Sequence, residues 1–148
     1  MLRIRLICVG KLKESFYIEA CGEYRKRLQR YCELEMVELP ETGSLERDGA
    51  AVLEKVPPGS RLGALCVEGR LFSSQELADW IGREMNSGTS RLCLVIGGSD
   101  GLWETVKQRA EVKISLSRMT FPHHLARVIV LEQIYRAFNI LGGGKYHK

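Results

Sequence analysis

Apolar and polar positions along this chain follow two periods, one near two residues and one near three and a half. Leu2 to Val9 alternates and then runs apolar as far as Gly10, which predicts a first strand. Ser15 is placed to cap a helix whose Phe16, Ala20, Tyr24, Leu28 and Tyr31 recur at spacings of three and four. Gly22 weakens that helix by about 1 kcal/mol relative to alanine without breaking it. Glu33 to Leu39 reads as a second strand, stopped by Pro40. Glu41 to Gly49 is polar and reads as a loop into a short helix over Ala50 to Val56, after which Pro57-Pro58-Gly59 forces a turn.

Arg61 to Val67 predicts a third strand, closed by Gly69. Ser73 and Glu76 stand in the reciprocal positions of a capping box, and the helix they open presents Leu77, Trp80, Ile81 and Met85 as its buried face, with Gly88 at its end. Arg91 to Ile96 is apolar at nearly every position, as a strand covered on both faces must be. It runs into Gly97-Gly98-Ser99-Asp100-Gly101. A short helix near Trp103 to Ala110 and a fifth strand near Val112 to Leu116 follow.

The last periodic stretch is the longest. Pro122 suits the opening of a helix, where its missing N–H would have no intrahelical partner. Leu125, Val128, Ile129, Leu131, Ile134, Tyr135 and Phe138 then mark one apolar face, with His123, Arg127, Glu132 and Arg136 threaded through it. A glycine hinge, Gly142-Gly143-Gly144, leads to Lys145, Tyr146, His147 and Lys148.

Alternating strands and helices predict an α/β fold with a largely parallel sheet and helices on both faces. The 148 residues form one expected domain, residues 1–148, large enough to build a core without disulfides. Ligands of such sheets sit beyond the carboxyl ends of the strands. That directs attention to the loops after Val67, Ile96 and Leu116.

Composition narrows the chemistry. Apolar content of 45% and charged content of 27% belong to a soluble globular protein, and no run is long enough to span a bilayer. The opening MLRIRLICVG is broken by two arginines and reads as a strand, not a secretion signal. Five scattered cysteines without a CxxC, in mostly apolar segments, point to buried free thiols in a reducing cytoplasm, and no metal site is expected. The net charge of +4 is uneven: Lys11, Lys13, Arg25, Lys26, Arg27 and Arg30 cluster, which fits either a phosphate-rich partner or a solvated helix face. VIGGSDG is neither GxGxxG nor a GxxxxGK[ST] loop, so both phosphate-cradling fingerprints are absent. Paired glycines there permit close approach of a flat ligand or of another chain segment. No cysteine carries the cationic surroundings of a nucleophile, and no paired carboxylates are placed for glycoside chemistry.

VIGGSDG, then SLSRMTFPHHLARVIVLEQIYRAF, then a terminal YHK together resemble the RlmH (YbeA-like) family of ribosomal RNA methyltransferases, over essentially the whole chain. These belong to the SPOUT superfamily, so the resemblance implies a C-terminal trefoil knot. It also implies a homodimer that transfers a methyl group from S-adenosyl-L-methionine to N3 of a pseudouridine in large-subunit rRNA, on the assembled ribosome and in the cytoplasm. Carried onto this chain, the cofactor site comprises Leu65, Gly97, Gly98, Ser117, Arg118, Met119, Thr120, Phe121 and Pro122. The catalytic and substrate-facing set comprises His123, Arg127, Glu132, Tyr146, His147 and Lys148. Lys148 replaces the arginine that some relatives carry, and lysine lacks the planar fork that clamps an anion through two bonds. The expected mechanism closes the tail of one subunit over the cofactor site of the other, with His147, His123 or Glu132 taking the proton. The competing expectation is a ribosome-associated RNA-binding protein that keeps the fold without turnover; it would not bind S-adenosylmethionine.

Overall fold

The computed structural model describes residues 1–148. Five strands, β1 (Arg3–Val9), β2 (Glu33–Leu39), β3 (Arg61–Leu71), β4 (Arg91–Ile96) and β5 (Val112–Ser115), pair in parallel in the order β2-β1-β4-β3-β5. Period-two alternation sorts their side chains. Ile4, Leu6 and Cys8 of β1, with Leu92, Leu94 and Ile96 of β4, face one core; Ile7, Val9, Cys93 and Val95 face the other. Helices α1 (Ser15–Leu28), α3 (Ser74–Asn86) and α5 (His123–Leu141) cover the first face, with α5 packed on both of the others. Helices α2 (Leu45–Lys55) and α4 (Glu104–Arg109) cover the second. The α/β architecture expected from the alternation is therefore present.

Several boundaries differ, each for a local reason. Ser15 is the first residue of α1, not its cap; Glu14 holds the cap position and makes no side-chain capping bond. Phe16 of the expected face is exposed, while Cys21 is buried beside Leu28. Helix α2 begins at Leu45, well before Ala50, because Ser44 caps it by accepting the Arg47 N–H and Asp48 folds back to accept from the Thr42 N–H and hydroxyl. Gly49 lies inside that helix because Trp103 packs against it: a Cβ there would stand 2.5 Å from the Trp103 Cβ.

Strand β3 does not stop at Gly69. It shifts register between Leu65 and Arg70 and continues to Leu71 along β5. Gly69 is the point where β3 presses on its neighbour, since a Cβ would come within 2.7 Å of the Lys113 backbone. The Ser73–Glu76 capping box forms as expected, but Met85 is exposed and Ala78 takes its place in the core. Pro122 caps α5 from outside; the first helical residue is His123. The buried stripe of α5 is Arg127, Val130, Leu131, Ile134, Ala137 and Phe138, rotated from the expected face so that Leu125 and Ile129 are only half-buried.

Candidate functional site at the carboxyl edge of the sheet

Because all strands run parallel, their carboxyl ends share one edge, where the loops after β4 and β5 and the bulged middle of β3 (in place of the expected loop after Val67) enclose a cleft of about 600 Å³. Its walls are Leu65, Cys66 and Val67 from β3, Ile96 to Ser99 and Gly101 after β4, and Ser115 to Ser117 with Met119 to Pro122 after β5. His123 and Ala126, from the first turn of α5, close it. Leu65, Gly97, Gly98, Ser117, Met119, Thr120, Phe121 and Pro122, the set carried over with the family resemblance, are thus brought together. Arg118 is exposed and lies outside the lining.

Close packing dictates glycine on the β4 side. A Cβ at Gly97 would collide with the Gly101 carbonyl, and one at Gly98 would stand 2.5 Å from Oε2 of Glu41. The Gly101 N–H donates to the Gly98 carbonyl at 3.1 Å, and Gly101 takes the positive φ of +84° that closes the turn. On the β5 side, buried Ser115 donates its hydroxyl to the Ser117 carbonyl at 3.0 Å, and the Ser117 hydroxyl accepts the Met119 N–H at 2.9 Å. Those two bonds curl the loop around the cleft while leaving Met119 exposed.

His123 sits where this loop enters α5. Its Nε2 is 3.9 Å from Oε1 of Glu41, and its ring lies 4.2 Å, centroid to centroid, from that of His124. His124 Nδ1 is in turn 3.5 Å from Oε2 of Glu14. Both imidazoles crowd Gly10, whose φ of +103° and missing side chain make room for them. Burial pushes the pKa of His123 below its ordinary value; His124 reinforces that and Glu41 opposes it. The Glu41 carboxyl is held below its ordinary pKa because Oε2 accepts from the Ser99 hydroxyl and N–H, at 2.7 and 2.9 Å.

Arg127, placed in the catalytic set by the resemblance, is buried behind the start of α5. It is 1% exposed, with Nη1 donating to Oε2 of Glu38 at 2.5 Å and Nη2 donating to the Gly10 carbonyl at 3.0 Å. Glu38 also accepts the Leu12 N–H. Arg127 therefore ties α5 to the ends of β1 and β2 and does not line the cleft.

The remaining expected residues gather farther along α5. Glu132 Oε2 accepts from the Tyr146 hydroxyl and from Arg136 Nη2, both at 2.7 Å, and Arg136 Nη1 meets His147 Nδ1 at 3.0 Å. Tyr146 also packs edge-on against Tyr135, and the Arg136 guanidinium lies over the Tyr146 ring. Burial and the Glu132 carboxylate push the Tyr146 phenol pKa up. The glycine segment thus turns the tail back onto its own helix, helped by a Gly144 N–H bond to the Asn139 carbonyl, and Lys148 is left exposed. Nine positions separate His123 from Glu132, roughly 13 Å along the helix axis. Within one chain the expected catalytic set is therefore split.

Sequence reasoning passed over Glu41, Glu38, His124, Glu14 and Cys66. The first two follow or end an edge strand and carry no spacing signal; only the close pairing across the sheet edge reveals them.

Comparison with known proteins adds an independent line. The family model described as "Predicted SPOUT methyltransferase" matches residues 2–147. A protein of Bacillus pumilus named "Ribosomal RNA large subunit methyltransferase H" is 43% identical, aligning 99% of this chain with 100% of that one. A protein of the same name from Clostridium novyi is 46% identical with the same coverage. Among solved structures, a probable methylase family protein from Haemophilus influenzae matches with a TM-score of 0.57 at 14% identity, over 99% of this chain and 70% of that one. A probable methyltransferase from Bordetella pertussis matches with a TM-score of 0.62 at 12% identity, over 93% of this chain and 96% of that one. At such identities the solved structures speak for the fold alone.

Proposed function

The chain belongs to the SPOUT methyltransferase family, and from that premise we propose that it methylates large-subunit ribosomal RNA at N3 of a pseudouridine, with S-adenosyl-L-methionine as methyl donor. The observation that carries this reading is the cleft. It is built from the bulged middle of β3 and the backbone-rich loops after β4 and β5, and its volume of about 600 Å³ suits a small molecule. No phosphate-binding turn is present, which fits a donor that carries none.

When bound, S-adenosylmethionine supplies an electrophilic methyl group on a sulfonium sulfur. The chain's own task is orientation and proton removal. Gly97, Gly98 and the Ser117–Pro122 loop hold the donor and exclude water, and fixed alignment of donor and acceptor contributes several kcal/mol, up to roughly 7–11. His123 lines the same cleft, so a proton released from the acceptor nitrogen has a receiver at hand.

The split along α5 supports a homodimer. Half-buried Leu125 and Ile129 and exposed Met119 offer a second copy an apolar surface beside the cleft. In this reading Tyr146, His147 and Lys148 of one copy close over the cleft of the other, Glu132 anchors that tail, and Lys148 faces negative charge developing on the uracil ring. Residues such as Lys11, Lys13 and Arg25 meet rRNA phosphates, the ribosome completing the recognition surface in the cytoplasm. A trefoil knot, with α5 passed through a neighbouring loop, belongs to the same reading.

Calorimetric titration with S-adenosylmethionine tests it. Saturable heat, with affinity weakened when bulk is introduced at Gly98, is the expected result. No heat at any concentration would mark an RNA-binding protein without turnover.

A further inference from the structure

The donor cleft has a carboxylate behind it that neither the sequence pattern nor the family reading uses. Glu41 leaves the end of β2, at the far edge of the sheet, and reaches under the turn after β4. Its Oε2 accepts both the N–H and the hydroxyl of Ser99, at 2.9 and 2.7 Å, and fills the space that a side chain at Gly98 would need. Its Oε1 stands 3.9 Å from Nε2 of His123. One carboxylate thus touches the floor of the cleft and faces the imidazole that lines it.

We propose that Glu41 is a positioning residue of the methyl transfer, with two separable roles: it staples the Gly98–Ser99 turn beneath the donor, and it orients and charge-balances His123 as proton acceptor. The inference rests on the reading of the cleft as a methyl-donor site. At 3.9 Å the Glu41 carboxylate is beyond hydrogen-bond length from Nε2, but its charge still favours the tautomer with the proton on that nitrogen, which leaves the Nδ1 lone pair free. As the N–CH₃ bond forms and the S–CH₃ bond breaks, its electron pair passes to sulfur, and the proton of the acceptor N–H passes to Nδ1. The imidazolium so formed is stabilised through space by the ionised Glu41, 3.9 Å from its Nε2.

The other charged and titratable groups around His123 define what must be controlled. His124 follows it on α5, Arg127 lies one turn on, and Glu14 approaches from the β1–α1 connection. His124 and Arg127 favour the neutral imidazole, as burial does, and Glu14 and Glu41 favour the charged one. At neutral pH His123 is therefore an unprotonated base with an ionised carboxylate in place to receive its charge.

Glu41→Gln separates the two roles, because the amide oxygen still accepts from Ser99 while the charge is gone. The histidine signals of the donor-free full-length protein are followed by NMR across pH, with His123→Gln for assignment, beside donor affinity and turnover. The expected result is a His123 titration moved to lower pH, donor affinity within about twofold of wild type, and turnover down roughly tenfold or more, with the acid limb displaced the same way. Glu41→Asp should restore much of the His123 titration, and it keeps the inference testable should the glutamine variant fold poorly. An unchanged His123 titration and unchanged turnover in Glu41→Gln would overturn the inference. A wild-type protein that neither binds donor nor methylates rRNA would instead overturn the reading of the cleft itself.

Discussion

Arg127 donates to the Gly10 carbonyl at 3.0 Å, joining positions 117 residues apart and fixing the start of α5 against the end of β1. With Glu38 on its other nitrogen, the guanidinium spans two strands and a helix. Burial of a cation is tolerated only where such partners exist. Arg127→Ala should therefore cost about 1–3 kcal/mol in urea denaturation, since it leaves the Gly10 carbonyl without its donor, while the part-exposed Glu38 keeps the Leu12 N–H and water. Arg127→Lys should recover little, because an ammonium cannot reach both acceptors in the same plane. Equal stability of the alanine variant would show the pair to be incidental.

Gly98 is expected to be intolerant for a related reason. A methyl group there meets the Glu41 carboxylate at 2.5 Å, so Gly98→Ala must displace Glu41 or tilt the turn that floors the cleft. Donor affinity should fall about tenfold or more, equivalent to 1.4 kcal/mol or above. Calorimetry reads this directly, and circular dichroism separates it from loss of fold.

The cysteines offer a chemical probe of the cleft. Burial pushes the thiols of Cys8, Cys32 and Cys93 up to about 12, so they should resist modification in the native state. Cys66 alone is only half-buried, and it lines the cleft. A thiol reagent should modify one residue per chain slowly, and S-adenosylmethionine should protect it. Modification of Cys66 at the same rate with saturating donor would place the donor elsewhere.

The pH dependence has a definite sign. Burial and His124 set the folded-state pKa of His123 below its ordinary 6.5, so between the two values the unfolded chain binds a proton that the folded chain does not. The contribution of His123 to stability is intact above its ordinary value and is lost as pH falls toward the folded one. Glu41, also lowered, adds a further loss of the same sign near and below 4.5. Urea midpoints should decline on acidification, and His123→Gln should flatten the upper part of that decline. An unaltered slope in the variant would mean that His123 titrates normally.

Much of the fold was legible in the residues, because parallel strands and amphipathic helices write their periods plainly. Residues 91–96 read as a strand covered on both faces, and they are one. The residues of the cleft came with the family resemblance that the glycine turn and the TFPH run carry together, since either alone fits a plain tight turn or helix start; they meet at one edge of the sheet. Long-range pairing was not legible. The start of α2 was missed because Gly49 looks like a breaker until Trp103 is seen packed against it. Arg127 looked like a surface or catalytic cation because nothing in its helix announces Glu38, 89 residues earlier. Glu41 follows a strand-ending proline and has no local partner at all; its meaning comes from Ser99, 58 residues on.

The tail bears on assembly. Tyr146 and His147 here cluster with Glu132 and Arg136, well along α5 from the cleft of the same chain. Deleting Tyr146 to Lys148 should abolish methylation while leaving S-adenosylmethionine affinity nearly intact. Lost donor affinity would make the tail a structural element of its own subunit.

The most direct test of the whole account is transfer of labelled methyl from S-adenosylmethionine to ribosomes from a strain lacking this protein, with mass spectrometry locating the product. The account predicts one methyl group per ribosome, on N3 of a pseudouridine in large-subunit rRNA, and none when Tyr146 to Lys148 are removed. Donor binding without any label entering rRNA, or a methyl group carried by protein instead, would contradict it.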